Sequence, residues 1–281
     1  MPEITVLMSV KNGEKYIKDA IDSVLKQSFT DFELLVMDDN SEDETTHIVQ
    51  NYKDARIRLE KRNTDFIQNL NEGLSLSRDN YIARMDADDM MHSERLRIQL
   101  KRMKKNPEIV VCGTWVKQFS DTCTVKTAIR WGNGIIEKPV QNLLQCNVIV
   151  HPSAMINKKF LVENQIRYQD YPCVEDYKLW FDIAKAGGTL FVEPQDLLFY
   201  RISESQVTYN RKEEMYKSSI RLRKEILHYL LSQSANPVLS DLLLNMESIE
   251  RDGLISNEEI FRFYGNILEK MESYSFSESR S

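Results

Sequence analysis

Apolar positions in the first 113 residues follow two alternating rhythms. ITVLMSV (4–10), FELLVMD (32–38), IRLEKR (57–62), YIARMD (81–86) and IVVCG (109–113) are apolar or β-branched runs of strand length. Between them the spacing changes. Tyr16/Ile17, Ala20/Ile21 and Val24/Leu25 recur every four positions within 14–27. Phe66/Ile67, Leu70 and Leu74 do so within 65–77, and Leu96, Leu100 and Met103 within 93–104. Each set marks one face of a helix. A further helix is expected from residue 43, and Pro107 punctuates the helix before the fifth strand. Strand alternating with helix predicts an α/β protein, with a mainly parallel sheet covered by helices on both faces.

From residue 114 the rhythm breaks. A polar, strand-prone stretch from Trp115 to Trp131 leads to a turn at Gly132 and Gly134, then a helix near 137–145. VIVHPSAMIN (148–157) reads as a strand and VEDYKLWFDIAKAGG (174–188) as a helix closed by glycines. TLFV and LLFYRI follow as two short strands. Beyond about 206 the pattern is helical: Met215, Ser219, Leu222, Ile226 and Tyr229/Leu230 form one stripe, and 237–248 and 257–272 look alike. The expected organisation is one unit over 1–205, in halves 1–113 and 114–205, with a helical region over 206–281. There are no internal repeats.

Composition narrows the class. With 9 Gly and 7 Pro the chain is not low-complexity, and a net charge of -6 argues against a nucleic-acid partner. The four cysteines (Cys112, Cys123, Cys146, Cys173) lack CxxC or zinc spacing and read as reduced thiols. MPEITVLMSV has no basic leader region, and no apolar run reaches the ~18 residues of a membrane span. The expected location is the cytoplasm.

The chemistry gathers at strand ends. LLVMDDNS places Asp38 and Asp39 after the second strand, and YIARMDADD places Asp86, Asp88 and Asp89 after the fourth. Ligands of open parallel sheets bind at that edge. Asp38 to Ser41 has an equally good reading as turn and helix-cap chemistry. DNSEDE is not a calcium loop, since Glu44 stands where the glycine belongs. Three carboxylates in four positions are more than a turn needs. They repel and resist burial, which calls for a hard divalent cation, Mg²⁺ or Mn²⁺, shared with substrate phosphates. The chain has neither GxxxxGK[ST] nor GxGxxG, so metal and the strand-end cations Lys11, Arg62 and Arg84 would hold a diphosphate.

Taken in order, VLMSVKNGEKYIKDAIDSVLKQSFTDFELLVMDDNSEDET, KRNTDFIQNLNEGL and YIARMDADD resemble the inverting nucleotide-sugar glycosyltransferases of family two, which have the GT-A (Rossmann-like) fold. HPSAMI (151–156), VEDYKLWFDIAKAG (174–187) and YRISESQVT (200–208) extend the likeness over residues 3–208. The resemblance implies that Asp39 reads the nucleotide base, with Ser9, Lys11 and Asn12 beside it. Asp86 and Asp88 match the DxD motif that holds donor ribose and metal, and Asp89 adjoins them as a third metal carboxylate. Asp38, Arg62, Asn63 and Arg84 complete the donor side. Asp176 matches the catalytic base, with Glu175 and His151 on the acceptor side. Two positions depart from the family pattern: Lys11 replaces a usual Tyr, and YRIS carries Ser203 where many members have His. The implied activity is metal-dependent, inverting transfer from a nucleoside-diphosphate sugar, with UDP expected. The acceptor would be a saccharide or lipid-linked saccharide in cell-surface polysaccharide synthesis, at the inner face of the membrane.

Each of these residues has a plainer reading. Asp176 shares a helical face with Trp180 and Ile183/Ala184, and an acid at a helix N-terminus is also favoured electrostatically. His151 before a proline is more often structural, and Trp131 and Tyr171 suit either sugar stacking or packing. The cluster Arg211, Lys212, Lys217, Arg221, Arg223 and Lys224 is interleaved with glutamates and reads as a solvated face, with peripheral membrane contact as the alternative. The rival classes are a silent nucleotide-sugar-binding module and a DxD-type phosphotransferase. The latter wants acids after the first strand, where this chain has SVKNG.

Overall fold

The computed structural model describes residues 2–121, 125–203 and 211–233. Strands β1 (Ile4–Val10), β2 (Phe32–Asp39), β3 (Ile57–Arg62) and β4 (Tyr81–Asp86) alternate with helices α1 (Ile17–Leu25), α2 (Thr45–Gln50) and α3 (Phe66–Leu76). A two-residue β5 (Met90–Met91) and α4 (Arg95–Lys105) follow. The second half holds β6 (Ile109–Phe119), β7 (Val125–Ile129), β8 (Gly134–Ile135), α5 (Pro139–Gln145), β9 (Met155–Asn157), α6 (Lys158–Glu163), α7 (Glu175–Lys185) and β10 (Thr189–Arg201). Helix α8 spans Lys212–Ser232.

The sheet order is β3-β2-β1-β4-β9-β6-β10-β5. β1 pairs in parallel with β2 and β4, and β2 with β3. β9 is antiparallel to both β4 and β6, so β6 and its parallel neighbour β10 run the same way as β4. The central strands are buried on both faces and split their side chains by parity. Leu7, Leu35 and Met37 face α3 through Leu70 and Leu74. Val6, Met8, Leu34 and Val36 face α1 through Ile17, Ala20, Ile21 and Val24. Gly73 lets α3 lie close to β1, because a Cβ there would meet Leu7 Cδ1 at 2.5 Å.

The five strands expected over 4–113 all form, alongside an unexpected β5, and the second half corrects the expectation further. TLFV and LLFYRI are one strand, β10, whose pairing with β6 shifts register around Glu193–Leu198. Pro194 lies inside that break and offers no N–H to the ladder. Only the end of VIVHPSAMIN is a strand. Pro152 sits in a 3₁₀ turn over His151–Ser153 before β9 begins. The stretch after Trp115 continues β6 and returns as antiparallel β7.

Helix α7 ends as its glycines foretold: Gly187 adopts φ +85° and the Gly188 N–H donates to Ile183 O at 2.9 Å. Helix α8 docks on α7 and α5, sinking Leu222, Ile226, Leu227 and Leu231 into the core that holds Leu179, Trp180 and Phe181. Buried Lys178 ties the two helices by pairing with Asp182 (2.6 Å) and Glu225 (2.9 Å). The helical expectations for 237–248 and 257–272 lie outside the described residues.

Candidate active site

Register levels the strand ends. Ser9 lies opposite Asp86, Val10 opposite Asp38, and Asp39 opposite Arg62. The chain leaves β1 toward β2 on one side and returns to β4 on the other, so the topological switch point falls between Ser9 and Asp86. A cleft of about 2570 Å³ opens there. Ser9, Lys11, Asn12, Asp39, Asp86, Asp88, His151, Glu175, Asp176 and Ser203 all line it.

On the donor side two loops are zipped together. Asn12, at φ +51°, donates its N–H to Ser41 Oγ (2.9 Å) and accepts from Glu42 N with its Oδ1 (2.9 Å). Asp39 is aimed by the Thr64 N–H at 3.0 Å and by Lys11 Nζ at 3.4 Å. Ser9 Oγ donates to the buried Asn69 Oδ1 at 2.9 Å. Four expected donor residues are absent from the cleft lining. Asp38 is buried and accepts from Ser41 N and Thr46 Oγ, which is the turn role. Arg62 is engaged by Glu72 (2.7 Å) and Glu60 (3.1 Å), and Asn63 is exposed on the rim. Arg84 lies beneath the cleft, 1% exposed, with Nη2 at 2.8 Å from Asp86 Oδ1. It holds the acid rather than facing a diphosphate.

Asp86, Asp88 and Asp89 each offer a carboxylate oxygen within 4.8 Å of the others. Asp89 is fully buried; one oxygen accepts the Arg201 N–H at 2.8 Å and the other has no hydrogen-bond partner. Burial, then the charges of Asp86 and Asp88, hold its carboxyl far above the usual range. An orphaned buried carboxylate oxygen beside two more hard oxygen donors fits Mg²⁺ or Mn²⁺.

Across the cleft, Glu175 and Asp176 open helix α7. Asp176 accepts from Asn147 Nδ2 at 2.8 Å and from the Tyr177 N–H at 2.7 Å. Burial raises its carboxyl to about 6 against those two hydrogen bonds, and the charge of Asp86 adds to the rise. Burial and then the Asp176 charge raise Glu175 to about 8. Burial thus holds both carboxyls above the usual range, Glu175 the further of the two. His151 is packed: its Nε2 meets Tyr168 Oη at 2.8 Å, and its ring abuts Tyr168 and Trp180 edge-on. Burial and the nearby Arg84 charge push it well below the ordinary histidine value, so it is neutral.

Two residues that sequence reasoning passed over hold the site together. Asn147 aims Asp176, and Arg201 grips the acidic loop through Asp88 O (2.7 Å) and Asp89. Arg201 stood in the quoted YRIS run, where only Ser203 was weighed; nothing in the pattern around Asn147 marked it. Trp131 lines the cleft and is 62% exposed, whereas Tyr171 is buried against Glu225 and Arg221. In the basic cluster Arg211, Lys212 and Arg223 line the cleft, while Lys217 pairs with Glu213 on the solvated face.

This layout, a metal-type acidic cluster at the switch point facing a helix-borne carboxylate pair, is that of a GT-A nucleotide-sugar transferase. Residues 5–164 match "Glycosyl transferase family 2", more than half of the chain, and the protein belongs to that family. Its members generally use a divalent metal. The chain is 30% identical to an uncharacterised glycosyltransferase of Methanocaldococcus jannaschii over 76% of this chain and 77% of that one. It is 26% identical to the Escherichia coli UDP-Glc:α-D-GlcNAc-diphosphoundecaprenol β-1,3-glucosyltransferase, over 75% of this chain and 82% of that one. In fold it is similar to S. aureus TarS 1–349 in complex with UDP-GlcNAc, with a TM-score of 0.66 at 19% identity. That match covers 80% of this chain and 66% of that structure.

Proposed function

We propose that the protein is a metal-dependent, inverting glycosyltransferase that moves a hexosyl or N-acetylhexosaminyl group from a UDP-sugar to a saccharide or lipid-linked saccharide. The observation that carries this reading is the pairing of two carboxylate groups across one cleft, Asp86 and Asp88 on one wall with Asp89 buried behind them, and Asp176 on the other. Asp39, fixed by Thr64 and Lys11, presents an acceptor to the N–H edge of the base. When bound, a Mn²⁺ or Mg²⁺ ion held by Asp86, Asp88 and Asp89 stabilises the charge on the departing diphosphate. Asp176 takes the proton of the acceptor hydroxyl as its oxygen bonds to the anomeric carbon. The bond from that carbon to the phosphate oxygen breaks with its electron pair going to UDP, which inverts the centre.

The names of similar proteins support the substrate classes: one uses UDP-Glc and a diphosphoundecaprenol-linked acceptor, and another binds UDP-GlcNAc. A lipid-linked acceptor would bring the protein to the cytoplasmic face of a membrane, in polysaccharide synthesis. No helix among the described residues is long and apolar enough to cross one. Residues 1–205 form the catalytic unit in this reading, with 1–113 serving the donor and 114–205 the acceptor, and 206–281 a helical region. The test is a panel of UDP-, GDP- and dTDP-sugars assayed for hydrolysis and transfer with Mn²⁺ and with EDTA. UDP-sugar turnover abolished by EDTA is expected; turnover unaffected by EDTA would remove the metal role.

A further inference from the structure

Arg201 ends β10 and is only 2% exposed, far along the chain from the acidic loop that it touches. Its backbone N–H donates to Asp89 Oδ1 at 2.8 Å, and its Nε donates to Asp88 O at 2.7 Å. One residue therefore grips two consecutive acidic positions, with main chain and side chain acting in different directions. The guanidinium is clamped between the rings of Tyr16 (4.2 Å) and Phe119 (4.5 Å). Upstream on the same strand, Leu198 pairs with Met91 and Phe199 with Met90, so β10 edges the loop along its length.

Arg201 is absent from the cleft lining, although Tyr200, Ile202 and Ser203 are present. It is therefore placed to act through the loop and not on a ligand. The loop needs such support, because Asp86, Asp88 and Asp89 repel one another and Asp89 keeps one buried oxygen without a hydrogen-bond partner. A planar fork sandwiched between two rings fixes the Asp88 carbonyl in one direction, which a flexible ammonium cannot reproduce.

We infer that Arg201 is a positioning residue for the divalent-cation site: its side chain fixes the Asp88 main chain, and through it the spacing of the Asp88 and Asp89 carboxylates, without ligating the ion. The inference rests on the metal-dependent donor binding proposed above. Calorimetry of UDP binding, in Mn²⁺ and in EDTA, tests it with wild type, Arg201→Met and Arg201→Lys. Residues that orient metal ligands typically govern affinity by about 10–100-fold. The expected result is that both variants lose a gain of that size in Mn²⁺ while UDP affinity in EDTA stays within about twofold. Titration with Mn²⁺ alone, followed by its electron paramagnetic resonance signal, should show the same weakening. If Arg201→Met fails to fold, Arg201→Lys decides, since it keeps the cation between the rings. Full retention of the Mn²⁺ gain in the Lys variant overturns the inference, as does an equal loss in EDTA, which would mark a merely structural role. Absence of any Mn²⁺ gain in wild type sinks the metal reading itself, and this inference with it.

Discussion

The acidic loop after β4 and the first turn of α7 face the same difficulty, adjacent carboxylates partly shielded from water, and meet it in different ways. Around the loop the protein supplies buried cations. Arg84 pairs with Asp86, Arg201 donates from its guanidinium to the Asp88 main-chain oxygen and from its backbone N–H to Asp89, and Arg95 beneath them offsets the Asp89 charge. At α7 neither Glu175 nor Asp176 has an ion pair among the described residues, and Asp176 rests on the neutral amide of Asn147. There both carboxyls rise toward neutrality, as that of Asp89 does in the loop, but with no cation paired to either among the described residues. A cluster propped by fixed cations suits holding a metal, whereas carboxyls that titrate near pH 7 suit moving a proton.

The sharpest way to break this contrast is Asp176→Asn. The amide keeps the size and the contact with Asn147 but cannot take a proton, so transfer should fall about 10²–10⁴-fold. UDP affinity in Mn²⁺ should change little, because the donor wall is untouched. Transfer within a few-fold of wild type would move the base to Glu175.

The α7 side depends on packing that the loop does not share. Leu222 of α8 is fully buried in the core that carries α7, so Leu222→Ala should cost about 2–5 kcal/mol in denaturant unfolding. Below its melting temperature the variant should still bind UDP. An unfolding cost under about 1 kcal/mol would mean that α8 is an independent appendage. For the loop, Asp88→Asn should remove about 10–100-fold of UDP affinity in Mn²⁺ and nothing in EDTA.

How far the two regions were legible from the sequence differs for a physical reason. Strand ends are set by local runs, and the parallel register then levels them, so Asp39 and Asp86 could be placed from MDDNS and RMDADD alone. Parity puts Arg84 and Asp86 on one face of β4, yet Arg84 was expected at a diphosphate and is instead buried against Asp86. Asn147, Arg201 and the packing of His151 depend on contacts made by residues distant in sequence, such as Tyr168 against His151. No periodicity encodes those. The two-residue β5 was invisible as well, since it exists only because β10 offers it an edge.

Burial of the Glu175 carboxyl has a consequence for stability. Its folded value, about 8, lies above the usual glutamate value of 4.5, so the folded protein holds a proton that the unfolded chain releases. Stability from this group is thus present at low pH and lost as pH rises through that window. Glu175→Gln should raise the melting temperature at pH 8.5 and leave it nearly unchanged at pH 5. A larger gain at pH 5 than at pH 8.5 would contradict the raised carboxyl.

The smallest effect expected is the most specific to the proton-transfer side. Asn147 donates to Asp176 Oδ2 at 2.8 Å, a bond that favours the charged form and opposes the rise caused by burial. Removing it in Asn147→Ala leaves burial and the Asp86 charge to act with less opposition, so the Asp176 carboxyl should climb further above about 6. Transfer requires that carboxyl ionised, so the acid limb of the rate profile, near pH 6 in wild type, should move toward neutral pH. At pH 8 the variant should approach wild-type rate, apart from any loss through looser aim of the base. A structural role alone would lower the rate equally at every pH. A profile that keeps its acid limb while the whole curve drops would therefore show that Asn147 merely shapes the loop, and that some other contact fixes the protonation of Asp176.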